Sequence, residues 1–105
     1  MLSRMLAYAF AIALLPGGVA MADTAVTVTI KNFDYAPMML SVAAGTTVTW
    51  RNLDGEPHTV VSTDGLFRSP ALDQNETYAF TFAKAGTYKY ICSIHPRMVA
   101  TITVK

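Results

Sequence analysis

From Ala25 onward, apolar and polar residues alternate in short runs, the pattern of strands that bury one face. Val26, Val28 and Ile30 interleave with Thr27, Thr29 and Lys31. Val48 and Trp50 alternate with Thr47, Thr49 and Arg51, and Tyr78, Phe80 and Phe82 share one face of a later run. Tyr88 and Tyr90 repeat the arrangement, and Cys92 continues their parity. Ala100, Ile102 and Val104 alternate with Thr101, Thr103 and Lys105 at the end of the chain. β-Branched and aromatic side chains dominate these runs, as a pleated and half-buried surface requires. Strands are predicted near 25–31, 39–43, 46–52, 57–61, 76–82, 86–92 and 98–104.

The breaks between the runs agree with this reading. Ala44-Gly45, Asp54-Gly55, Asp64-Gly65 and Ala85-Gly86 supply turn residues, and Pro37, Pro57, Pro70 and Pro96 stay out of strand interiors. Residues 64–74 carry the least pattern and are expected to form a loop. No later segment keeps a helical apolar period, and no repeat or charge block divides the chain. One all-β domain is expected, an antiparallel sandwich or barrel.

The N-terminus has a different character. Arg4 precedes an uncharged, mostly apolar run, Met5–Leu15, then Pro16-Gly17-Gly18 and the small-x-small sequence Ala20-Met21-Ala22. The run is too short for the roughly 20 apolar residues that span a bilayer. It fits a signal peptide over residues 1–22 that is cleaved before Asp23, leaving an exported, periplasmic domain over residues 23–105. Of the eight Lys/Arg residues, Arg4 falls in this leader, so seven remain against seven Asp/Glu. A mature net charge of zero gives no field to draw nucleic acid or an anionic membrane. Nothing in the pattern demands more than a monomer.

A domain this small has a thin core, and a metal or disulfides often reinforce such domains. Cys92 is the only cysteine, so an internal disulfide is excluded. A lone exported thiol invites oxidation unless something engages it. Cys92-Ser93-Ile94-His95-Pro96-Arg97-Met98 places a thiol, an imidazole and a thioether three residues apart, and His58 is the only other histidine. Taken singly, each has a plain explanation. Met98 packs adaptably in a core, Cys92 is a small buried hydrophobe and either histidine is a surface residue. Jointly, a thiolate, two neutral imidazoles and a weak thioether suit copper moving between Cu(I) and Cu(II).

These residues carry a family resemblance. Ile30-Lys-Asn-Phe-Asp-Tyr-Ala-Pro37, Gly45-Thr-Thr-Val-Thr-Trp-Arg-Asn52, Pro57-His58-Thr-Val60 and Gly86-Thr-Tyr-Lys-Tyr-Ile-Cys-Ser-Ile-His-Pro-Arg-Met98 resemble the cupredoxins, over nearly all of residues 25–105. The spacing Cys92-x-x-His95-x-x-Met98 is similar to the short ligand loop of amicyanin-like members. The resemblance implies an eight-stranded Greek-key sandwich with one type 1 copper at one end. His58, Cys92 and His95 would form the trigonal plane, with Met98 axial and His95 as the point of electron entry and exit. It also implies transient redox protein partners, a dehydrogenase donor and a c-type cytochrome acceptor among them.

Three residues depart from the family pattern. Thr59 stands where many members have an Asn that ties the two ligand loops, so a looser tie is expected. Ile94 stands where amicyanin-like loops carry proline, and its restored N–H is expected to donate to the Cys92 sulfur and raise the potential. Arg97 lies beside the exposed histidine where the family often has an apolar residue, and with Arg68 it either biases docking toward acidic partners or is simply solvated.

Competing functions are a periplasmic copper carrier or chaperone, a Cys–His enzyme and a structural zinc site. A chaperone favours exposed, exchangeable ligands. The Cys92–His95 pair has no acidic residue nearby in sequence to orient the imidazole, and Met is a poor ligand for zinc.

Overall fold

The alternating runs resolve into eight strands that pair in two four-stranded sheets. The structure, a computed structural model, describes residues 25–105, and the leader expected over residues 1–22 lies outside them. The strands are β1 (Ala25–Lys31), β2 (Asp34–Ala36), β3 (Met39–Val42), β4 (Thr46–Asn52), β5 (Val61–Ser62), β6 (Thr77–Phe82), β7 (Gly86–Ile91) and β8 (Val99–Val104). One sheet has the order β2-β1-β4-β6, the other β3-β8-β7-β5. No helix occurs among the described residues.

The inward positions of both sheets meet in one core. Val28, Ile30, Val48, Trp50, Phe82, Tyr90 and Ile102 are buried there. Trp50 lies among Phe67, Tyr78, Phe82 and Tyr90, with ring centroids 5.4–6.4 Å away. Its indole Nε1 has no hydrogen-bond partner, so the ring is held by packing alone.

The expected antiparallel sandwich needs correction, because both sheets are mixed. β1 runs parallel to β4, and β3 runs parallel to β8. A period of two reports which face is buried and says nothing of strand direction. Direction comes from the connections. The chain leaves the first sheet after β2, adds β3 to the second, and returns as β4 beside β1.

Two elements differ from the expected boundaries. β2 has only three residues and closes a two-residue hairpin, in which Lys31 pairs with Asp34 and Asn32 and Phe33 sit at φ 55° and 60°. Both values suit the type I′ turn that matches the twist of a hairpin. The strand expected over residues 57–61 shrinks to a bridge between His58 and Leu72, followed by β5. Pro57 has no N–H to give a ladder. Val60 bonds the Ser69 side chain, its N–H donating to Oγ at 2.8 Å. Residues 64–74 form the expected loop, anchored by the buried Phe67 and Leu72.

Ile102 is fully buried. Ile102→Ala is expected to lower the unfolding free energy of the metal-free protein by about 2–5 kcal/mol in denaturant titration. Lys89→Ala, on the exposed face of β7, should stay within about 0.5 kcal/mol of the parent.

Candidate metal centre

The strand parities that build the core also build the site. Asn52 continues the inward parity of Val48 and Trp50, Cys92 that of Tyr88 and Tyr90, and Met98 that of Ala100 and Ile102. All three are buried. The β7–β8 connection is closed by two backbone bonds: Cys92 N–H donates to Met98 O at 3.1 Å, and Met98 N–H to His95 O at 2.9 Å. His58 is fully buried and is held from the other side, where its N–H and C=O exchange bonds with Leu72.

The ligand atoms of His58, Cys92 and His95 lie within 4.8 Å of one another. His58 Nδ1 is 3.9 Å and His95 Nδ1 3.7 Å from the Cys92 sulfur. Thiolate and imidazole bonds to a first-row ion such as zinc are about 2.3 and 2.0–2.1 Å, which at a trigonal angle separates the two donors by about 3.8 Å. The three side chains therefore already stand at the spacing of ligands around one shared ion. Met98 sits in the same loop with its side chain buried, and the three-donor cluster itself consists of His58, Cys92 and His95.

The sulfur of Cys92 is fully enclosed and receives directed hydrogen bonds. The N–H groups of Thr59 and His95 both donate to it at 3.4 Å, and the Thr59 hydroxyl lies 3.8 Å away. The expected N–H from Ile94 is not among these donors. The turn brings the following peptide, that of His95, onto the sulfur and leaves the Ile94 side chain exposed. Burial pushes the thiol up, yet the Thr59 N–H, the His58 ring, and the N–H and ring of His95 outweigh it and bring it down to about 6.

Nor is the tie between the ligand loops loose. Ser93 N–H donates to Thr59 Oγ1 at 2.7 Å, and the Thr59 and Ser93 hydroxyls pair at 2.9 Å. The buried Tyr35 hydroxyl donates to Thr59 O at 2.6 Å, so the Thr59 peptide is fixed on both sides. One β-branched hydroxyl thus links the two loops directly, where a looser tie was expected.

Three further residues contribute that the sequence reading left aside. Asn52, fully buried, donates its amide to Glu56 O and Leu72 O at 2.9 and 2.8 Å, and its oxygen accepts from Asp54 N–H at 2.9 Å. It therefore shapes the whole β4–β5 connection that delivers His58. Asp54, expected only as a turn residue, accepts from His58 Nε2 at 2.8 Å. Burial pushes the Asp54 carboxyl up, but the N–H groups of Phe33 and Asn32 and the His58 ring hold it below its usual value. Phe33 packs edge-on against both imidazoles, with centroids 5.0 Å from His58 and 4.8 Å from His95. The available signal was Asn52, a polar residue on an otherwise apolar parity.

His95 is only partly buried and borders an open groove of about 430 Å³ with Phe33, Ile94, Pro96 and Arg97. Arg97 and Arg68 are both exposed.

A depressed thiol value stabilises the fold above the unfolded thiol range and loses that contribution as pH falls through the folded value. The metal-free protein should therefore gain stability as pH rises from about 6 toward the ordinary thiol value of 9.0, as read from denaturation midpoints. Cys92→Ala should flatten that slope.

Comparisons with known proteins agree with this geometry. The family model of the Cupredoxin-like domain matches residues 4–104. The chain is 36% identical over 89 residues to an amicyanin of Paracoccus denitrificans, covering 80% of this chain and 68% of that one. It is 34% identical over 89 residues to a plastocyanin of Sambucus nigra, covering 67% of this chain and 86% of the relative. Among solved structures, an amicyanin variant in its Cu(I) form superposes with a TM-score of 0.74 at 34% identity, covering 77% of this chain and 82% of that one. Among the described residues, no helix is long and apolar enough to cross a membrane. With two four-stranded sheets, a His–Cys–His cluster at one end and matches along most of its length, the chain belongs to the cupredoxin family.

Proposed function

We propose that the protein is a small one-electron carrier that holds a single type 1 copper ion through His58, Cys92 and His95, with Met98 as the weak axial ligand. The observation that carries this reading is the enclosed Cys92 sulfur, with two N–H donors at 3.4 Å and two imidazole nitrogens at 3.7 and 3.9 Å. Copper, when bound, supplies one-electron exchange between Cu(I) and Cu(II). Soft sulfur favours the reduced state, while imidazole serves both.

The residues of the chain do the rest. Backbone bonds within the loop and to Leu72 hold the donors in place, so a change of charge at the centre is met with little movement. Burial of Cys92 and His58 keeps water from the sulfur and from one imidazole. The N–H groups of Thr59 and His95 stabilise the electron-rich thiolate and thereby favour the reduced form. His95 alone of the three donors reaches the surface, which makes its ring edge the route for the electron.

The groove beside His95 suits brief docking with a redox protein, an encounter that buries little area. The family resemblance implies a dehydrogenase as donor and a c-type cytochrome as acceptor, and the leader-like pattern of residues 1–22 implies a periplasmic location after its removal. A monomer satisfies this role. The alternative, a copper carrier that passes its ion on, is disfavoured by the buried and pinned donors, since exchange requires access.

The test is addition of Cu(II) to the metal-free protein with visible and electron paramagnetic resonance spectra. The expected result is an intense thiolate-to-copper band and reversible one-electron voltammetry, with slow loss of copper to a chelator. Cys92→Ser should abolish the band, whereas Ile94→Pro should leave the midpoint potential close to the parent, because His95 is the second N–H donor. A colourless protein after metal loading overturns the proposal, and rapid loss to the chelator favours the carrier reading.

A further inference from the structure

Asp54 makes more contacts than a turn residue needs. Its Oδ1 accepts from Asn32 N–H at 2.7 Å, and its Oδ2 accepts from Phe33 N–H at 2.9 Å and from His58 Nε2 at 2.8 Å. The Asp54 backbone is held from behind, because its N–H donates to the oxygen of the buried Asn52. Asn32 and Phe33 are both left-handed, at φ 55° and 60°, a conformation unusual for a bulky aromatic residue. Two successive N–H groups in such a turn converge on one anion. The ring that this turn carries sits edge-on to His58 and His95, whose own centroids are 5.0 Å apart.

We propose that Asp54 is the positioning residue of the metal centre. It fixes the His58 ring with Nε2–H outward and Nδ1 toward Cys92, and it latches that ring to the β1–β2 turn that seats Phe33 against both imidazoles. The role of the centre itself rests on the copper reading above.

The physical argument is one of donor count. A neutral imidazole carries one N–H, and the bond its outer nitrogen makes decides which nitrogen is free to bind a metal. A carboxylate there also raises the basicity of the ligand. Three donors converge on the two oxygens of Asp54, and both oxygens are used. An asparagine has one acceptor oxygen: placed where Oδ2 lies it still meets Phe33 N–H and His58, but it turns an NH₂ group against Asn32 N–H, so it cannot satisfy all three donors. The complete three-donor latch therefore requires a carboxylate. Phe33 completes it: its exposed ring flanks the surface-reaching His95, and its place depends on a turn that is costly without the carboxylate.

The test uses the metal-free and copper-loaded protein with Asp54→Asn and Asp54→Glu. In the metal-free parent, the His58 Nε2–H should give a slowly exchanging proton resonance, and the Phe33 ring should show close contacts to the His95 ring. Both signals should be lost or weakened in Asp54→Asn. In the copper form, Asp54→Asn should release the ion to a chelator roughly ten times faster or more. Its midpoint potential should rise, because a negative charge beside His58 favours Cu(II). Asp54→Glu keeps the charge but misplaces it, so it should change the same readouts in the same direction by less. It also serves if Asp54→Asn does not fold.

A variant that loses stability but keeps the potential, the release rate and the two resonance signatures overturns the proposal. A parent protein that takes up no copper overturns the copper reading instead. The latch is then judged on the metal-free resonances alone, and their persistence in both variants refutes it.

Discussion

The sulfur of Cys92 is buried completely, and an anion in that position is tolerable only if it is paired, hydrogen-bonded or metal-bound. Much of the surrounding architecture follows from this requirement. One N–H comes from the β4–β5 connection through Thr59, and one comes from the ligand loop through His95. The two segments must therefore lie side by side, and the Thr59–Ser93 hydroxyl pair and the Tyr35 phenol hold them there. Burial alone would push the thiol up, but the N–H groups of Thr59 and His95 and the two imidazoles bring it down, so the site is organised around a negative sulfur.

The second organising element is a polar chain built into an apolar sandwich. Asn52 occupies an inward slot at the end of β4 and uses both ends of its amide on the connection that follows. That connection places Asp54 under His58 and against the β1–β2 turn. A buried polar group without partners is expensive, whereas one with every partner in place makes the local structure unique. Short-range hydrogen bonds thus run from Asn52 to His58 at the end of the same core that includes Cys92 and Met98.

The opposite arrangement holds at the exposed side. His95 comes from the short loop, with only its backbone pinned, and its ring is partly open to solvent between Phe33 and the groove beside Arg97. Three tightly held atoms and one accessible ring edge are what a carrier needs, since insulation limits side reactions and access permits exchange. A catalytic pocket would place its openness at the reacting atoms instead. The same short loop that saves residues also leaves Ile94 and Pro96 at the surface, where they supply apolar contact area.

Much of this was legible in the residues alone. Alternation marked six of the eight strands to within a residue or so, because a half-buried strand must repeat every second position. The lone thiol and the two histidines pointed to a donor cluster through their chemistry and spacing, and the fold brings their ligand atoms within 4.8 Å of one another. Thr59, Ile94 and Asp54 were a different matter. Which peptide points at the sulfur depends on the path of the loop, so the donor was His95 and not Ile94. Whether a hydroxyl can replace an amide depends on how close two connections approach, and Thr59 meets Ser93 within 2.7 Å. Strand direction and the three-residue β2 were hidden for the same reason. Alternation is a local property of side chains, whereas parallel pairing, the left-handed turn at Phe33 and the reach of Asp54 to His58 are set by segments distant along the chain that only folding brings together.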